Sequence, residues 1–99
     1  MRKHYILWQW KEETTPEQID VALAQVLTLS DTVDGLVRVR NGLNLAQRMA
    51  GPYTHFTEMH FTDGAALERY YEDPSHRAVS SGFTVPIAKR AVTLDFDDQ

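Results

Sequence analysis

Four histidines and no cysteine set the polar chemistry open to this 99-residue chain. Histidine takes up and releases a proton near neutral pH at its ordinary pKa, whereas the absence of cysteine removes thiolate nucleophiles and disulfides together. His76 is the most informative of the four. It follows Asp73-Pro74-Ser75, where Asp73 can cap a helical turn with Pro74 in its first position, so His76 falls in the first turn. There the positive end of the backbone dipole favours the neutral ring, which can accept a proton, while the Asp73 carboxylate favours the charged one. Abstraction of a proton next to a carbonyl is the chemistry that fits. The alternative is structural: His76 caps or packs beneath the loop, and Tyr70 is a core aromatic with a satisfied hydroxyl.

The other polar candidates are read in the same two ways. His4 and His55 stand near the starts of predicted strands. The first and third strands are expected to be parallel neighbours at the sheet centre, so that the two rings lie close and with His76 could offer three nitrogens to a metal. No H-x-x-x-H or H-E-x-x-H spacing supports such a site, and neither metal nor other cofactor is expected. His60 alternates away from His55 and is read as an interface or surface residue. Arg38 and Arg40 share a strand face, either to hold an anion or as exposed strand charge and dimer salt bridges. Gly42 and Gly51 are isolated turn glycines and make no phosphate loop.

The elements that must position these groups follow from periodicity and punctuation. His4 to Lys11 is aromatic and β-branched and ends at charged residues, which predicts the first strand. Thr15-Pro16-Glu17-Gln18 is a capping-box start, and Ile19, Ala22, Leu23, Val26 and Leu27 then form one apolar helix face, with a break at Asp31–Gly35. Leu36 to Asn44 is the second strand, Asn44 to Pro52 a loop, and Tyr53 to Phe61 the third strand. Thr62-Asp63-Gly64 caps a helix carrying Leu67, Tyr70 and Tyr71, which stops or bends at Asp73-Pro74, and a fresh turn runs through His76 and Val79. After a less regular stretch from Gly82 to Ala88, Lys89 to Phe96 is the fourth strand, and the acidic Asp97-Asp98-Gln99 tail is expected to fray. The order βαββαβ predicts an α+β, ferredoxin-like fold, a four-stranded antiparallel sheet with both helices on one face, in a single domain over 1–99.

Composition narrows the partners. A formal net charge of -4 without a basic cluster disfavours nucleic acid. The longest apolar runs are far short of the roughly 18 residues a membrane span needs, and no apolar signal core follows Met1-Arg2-Lys3-His4, so a soluble, cytoplasmic protein is expected.

Strand alternation then divides the sheet. His4, Ile6, Trp8 and Trp10 share one side of the first strand, with His55, Thr57, Met59 and Phe61 on the third and Ala91, Thr93 and Asp95 on the fourth. This side faces the helices. Ile6, Trp8, His55, Thr57 and Met59 are therefore the expected substrate contacts if a cavity is left there, and Trp8 is expected to fill part of it. The other side carries Tyr5, Leu7, Phe56, Val92, Leu94 and Phe96, which no helix covers. A second copy is the economical cover, so a homodimer through this face is predicted.

Several stretches together resemble the stress-responsive A/B barrel (Dabb) family. They are Lys3-His4-Tyr5-Ile6-Leu7-Trp8, the Thr-Pro-Glu-Gln helix start, Tyr53-Thr54-His55, Tyr70-Tyr71-Glu72-Asp73-Pro74-Ser75-His76 and Leu94-Asp95-Phe96. The resemblance runs from about Arg2 to Phe96 and implies a dimeric α+β barrel. One plant member type, the olivetolic acid cyclase, closes a linear polyketide by aldol chemistry without metal or cofactor, and its functional residues fall on His4, Tyr70 and His76. By that resemblance His76 is the base, Tyr70 donates to the developing oxyanion, and His4 orients or relays. That cyclase type lines its pocket with aromatics from the first helix, where this chain has Ala22, Leu23 and Val26, which argues against the plant substrate.

Three functions are carried forward. The first is a cofactor-independent cyclase or isomerase acting on a small apolar carbonyl compound, which requires a cavity; one of roughly 300 Å³ or more with Tyr70 and His76 pointing into it would make this the leading reading. The second is a non-catalytic, stress-associated binding or scaffold protein with a filled interior. The third is a heme-degrading or quinol-type monooxygenase of the wider superfamily, weakened because the first strand carries His4 where the heme-degrading group has an Asn.

Overall fold

A computed structural model describes residues 1–98. The opening run forms β1 (Arg2–Trp10), with His4, Ile6 and Trp8 buried in alternation. α1 (Pro16–Leu27) begins at the expected capping box. Thr15 Oγ1 accepts from the Gln18 N–H at 3.2 Å, and Gln18 Oε1 accepts from the Thr15 N–H at 2.9 Å. The helix breaks at Thr28, before the Asp31 expected from the sequence. The Thr28 hydroxyl donates to the Gln25 carbonyl at 2.7 Å and that of Ser30 to Leu27 at 3.2 Å, a local competition that favours a break. A short α2 (Leu29–Thr32) follows. Gly35 then turns the chain at φ 82, where a Cβ would also lie 2.7 Å from that of Ala66, so the position admits only glycine.

The remaining elements are β2 (Leu36–Leu43), β3 (His55–Phe61), α3 (Gly64–Glu72), α4 (Pro74–Val79), a π-helical turn over Ser80–Thr84, and β4 (Ala88–Asp97). Asp63 caps α3 by accepting from the Ala66 N–H at 2.8 Å, and Asp73 caps α4 by accepting from the Ser75 N–H at 2.7 Å. The π-helical turn replaces most of the start of the irregular stretch expected after Gly82. The tail is also more ordered than expected. Asp97 belongs to β4 and pairs with Arg2 at 2.6 Å, and the Asp98 N–H donates to the Met1 carbonyl at 2.9 Å. Gln99 lies outside the described residues.

The strands form one sheet in the order β2-β3-β1-β4, and every neighbouring pair is antiparallel. This is the α+β, ferredoxin-like architecture. One expectation is corrected: β1 and β3 are neighbours, but antiparallel. Each helical crossover returns the chain parallel to the strand it left, whereas β3 reverses directly after β2 and slots in between β1 and β2 against both. The register pairs His4 with Met59 and Trp8 with His55, so His4 and His55 lie at opposite ends of the strand pair. The core occupies the helix-covered face, where Ile6, Trp8, Met59 and Phe61 pack against Leu23, Val26, Leu29, Leu67 and Tyr70. The opposite face leaves Val92, Leu94 and Phe96 exposed. Among the described residues no helix is long and apolar enough to cross a membrane.

Candidate functional site

Between the sheet and the helices lies a cavity of about 240 Å³. β1 supplies His4, Ile6 and Trp8 to its wall, β3 Met59, α3 Tyr70 and Tyr71, α4 His76 and Val79, and β4 Ala91 and Thr93. The small residues on β4 leave the room that the large ones on β1 take up. Trp8 is 7% exposed and fills part of the space, which holds the cavity somewhat below the size anticipated for an enzyme of this kind.

His4 is buried, and its place in the β1–β4 register sets it opposite Asp95. Its Nδ1 lies 2.5 Å from Asp95 Oδ1. The rings of Phe61, Tyr70 and Tyr71 meet it edge-on, with centroids at 6.3, 6.2 and 6.1 Å. His76 packs against Tyr70 at a centroid distance of 4.0 Å and a tilt of 37°. Among the described residues its Nδ1 is the only buried side-chain polar atom without a hydrogen-bond partner. Burial lowers the His76 pKa; the backbone of Tyr71 and the Asp73 carboxylate work against this, and the charges of His4 and Arg77 reinforce it. The ring is thus neutral at neutral pH, chiefly through burial. Burial also pushes the Tyr70 hydroxyl well above the ordinary tyrosine range, and that of Tyr71 in the same direction, so both are neutral hydrogen-bond donors.

The structure brings His4, Ile6, Trp8, Met59, Tyr70 and His76 together around one space. It does not bring Thr57 or His55 there. Thr57 is fully buried behind the wall, where its hydroxyl accepts from Trp8 Nε1 at 2.9 Å and donates to Asn41 Oδ1 at 2.7 Å; Asn41 in turn donates to the Leu23 carbonyl at 3.0 Å. This chain of bonds locks the Trp8 indole in place. His55 sits beyond the stacked Trp8 and Trp10 rings, accepts from Trp10 Nε1 at 2.9 Å, and lines a separate open groove. The three-histidine metal arrangement fails with it, and among the described residues no group of three His, Cys, Asp or Glu could hold a metal ion.

Asp95 is the polar neighbour that reading the site from the sequence missed. Its signal was present, since alternation groups it with Ala91 and Thr93 on the helix-facing side, where a carboxylate requires a partner. On the other face His60 Nε2 lies 2.8 Å from Glu58 Oε2, and Arg40 also pairs with Glu58. Arg40 is thus engaged within the chain.

Residues 3–98 match the family model of the stress-responsive A/B barrel domain, Dabb. Among solved structures, an Arabidopsis thaliana protein superposes with a TM-score of 0.92 at 20% identity, covering 100% of this chain and 96% of its own. The hydroxynitrile lyase from Passiflora edulis gives 0.87 at 20% identity, covering 99% and 93%. A dimeric ferredoxin-like protein of unknown function from Thermobifida fusca gives 0.81 at 21% identity, covering 98% and 90%. At these identities the likeness is one of fold. No curated protein sequence matches the chain.

Proposed function

The chain belongs to the stress-responsive A/B barrel family, and from that premise we propose that it is a homodimeric, cofactor-independent enzyme that moves a proton next to the carbonyl of a small apolar compound. We read 1–99 as a single domain of this kind. The observation that carries the reading is the partly open, mainly apolar space of about 240 Å³ with two imidazoles and two phenols in its wall. In the proposed step the neutral His76 ring takes the proton, the C–H electron pair moves into an enolate, and the Tyr70 hydroxyl donates to the developing oxygen charge. His4 assists from the opposite wall. The cavity lies below the range of roughly 300 to 1,000 Å³ usual for drug-sized ligands, so the substrate is compact, and a porphyrin exceeds the space. That a hydroxynitrile lyase shares the fold supports carbonyl chemistry on this scaffold.

The homodimer rests on the open sheet face. Tyr5, Leu7 and Phe56 are only partly covered there, Val92, Leu94 and Phe96 are exposed, and a recess of about 300 Å³ runs beside Tyr5, Leu7 and Phe56. A second copy would remove this apolar area from water, and the Thermobifida fusca relative is described as dimeric.

The test is exchange of carbon-bound hydrogen in heavy water. Small aryl and alkyl ketones are incubated with the protein and followed by proton NMR. The reading expects deuterium to enter next to the carbonyl of at least one compound, with His76→Ala slowing it by about a hundredfold or more. Absence of exchange and of binding across the panel would favour the non-catalytic scaffold reading.

A further inference from the structure

We propose that Asp95 is a positioning residue that fixes the tautomer of His4, leaving Nε2 of His4 as a second proton-accepting nitrogen in the cavity. Its functional meaning rests on the reading above; the tautomer is a property of the chain itself.

An ionised carboxylate only accepts hydrogen bonds, so the hydrogen in the 2.5 Å contact between His4 Nδ1 and Asp95 Oδ1 belongs to the ring. A neutral imidazole with hydrogen on Nδ1 carries a bare lone pair on Nε2. Among the described residues nothing in the protein hydrogen-bonds that nitrogen, and His4 is part of the cavity wall. Around the ring stand the edges of Phe61, Tyr70 and Tyr71, which restrain its rotation. The Asp95 side chain is 36% exposed on an edge strand and open to water, while its partner is 2% exposed.

The two imidazoles of the cavity are therefore not equivalent. His76 has a buried Nδ1 with no partner, whereas His4 is held from behind by a carboxylate. A proton taken by Nε2 from a substrate C–H leaves the electron pair on the substrate as an enolate. The resulting imidazolium is stabilised by Asp95, and the proton passes on to water or returns to the substrate. The pair thus suits enolisable aldehydes or ketones, whose proton must leave and return within one small space.

Long-range proton–nitrogen correlation spectra of 15N-labelled protein, taken at a pH where the rings are neutral, read the tautomer directly. His4 is assigned by the signals lost in His4→Gln. The expected result is a protonated-type Nδ1 and a bare-type Nε2, shifting toward the opposite tautomer in Asp95→Asn and unchanged in Asp97→Asn. A wild-type His4 with hydrogen on Nε2, or an Asp95→Asn pattern identical to wild type, overturns the proposal. In the ketone exchange assay Asp95→Asn should slow exchange by about ten- to a hundredfold with its melting temperature maintained. Exchange absent in the wild type with the tautomer as proposed would fail the functional reading alone, and normal exchange in a folded Asp95→Asn would fail the positioning role.

Discussion

The two faces of the sheet each carry an imidazole beside a carboxylate, and the surroundings make them different devices. On the open face Glu58 is bonded from every side: His60 Nε2 at 2.8 Å, the Tyr5 hydroxyl at 3.0 Å, and Arg40. Lys3 adds a contact to His60 at 3.1 Å. Burial works to raise the Glu58 pKa, but the hydrogen bonds from His60, Arg40 and Tyr5 prevail and bring it down to about 2. Both Glu58 oxygens are committed within this network. On the covered face His4 has, among the described residues, one polar partner, Asp95, and aromatic rings elsewhere, so one nitrogen remains uncommitted. Identical groups become a structural clamp where cations and donors surround them, and a candidate proton-transfer site where apolar walls do.

Changes on the open face should have the largest effect. Leu94→Asp places a charge in the apolar patch proposed to pair with a second copy, and sedimentation should show the dimer lost, with the monomer still folded. An unchanged dimer would remove this face as the interface. Glu58→Gln should cost about 2 kcal/mol by denaturant unfolding, because charge-assisted bonds weaken and Arg40 and His60 lose their counter-charge. With the Glu58 pKa depressed in the fold, its stabilisation is present above the ordinary value of 4.5 and lost as pH falls toward about 2. Acid titration of the variant should lack that decline.

The covered face should respond less in stability. Thr57→Val leaves the Trp8 N–H and the Asn41 carbonyl without their partner, and about 1 to 2 kcal/mol is expected from melting. His76 contributes the smallest effect, through pH. Its pKa is lowered by burial, so the fold favours the neutral ring, and stability falls as pH drops below 6.5 toward the folded-state value. His76→Gln should flatten that part of the profile; an unaltered slope would show that its ring titrates as if free.

What the residues disclosed before the fold was known divides by distance along the chain. The caps at Thr15, Asp63 and Asp73 were legible because each involves groups two or three residues apart. Alternation also sorted Met59 and Phe61 from Phe56 and Glu58, since the strand period is local. The direction of β3 against β1 was misread, and that error alone placed His55 beside His4. The His4–Asp95 pair joins groups 91 positions apart and depends on the β1–β4 register, which neither segment encodes by itself. The cavity volume depends likewise on the Trp8 indole, held by Thr57 and Asn41 from two other strands. The π-helical turn at Ser80–Thr84 has no periodic apolar signal to announce it.

The central claim is that the space between His4, Tyr70 and His76 receives a small carbonyl compound. A crystal structure of the protein soaked with acetophenone tests it most directly. The account predicts the ligand inside the cavity of about 240 Å³, its carbonyl oxygen within hydrogen-bonding distance of the Tyr70 hydroxyl and its methyl group toward an imidazole nitrogen. A cavity left empty at saturating ligand, or closed by Trp8 and Tyr70 packing against each other, would contradict it and return His4, Tyr70 and His76 to the core.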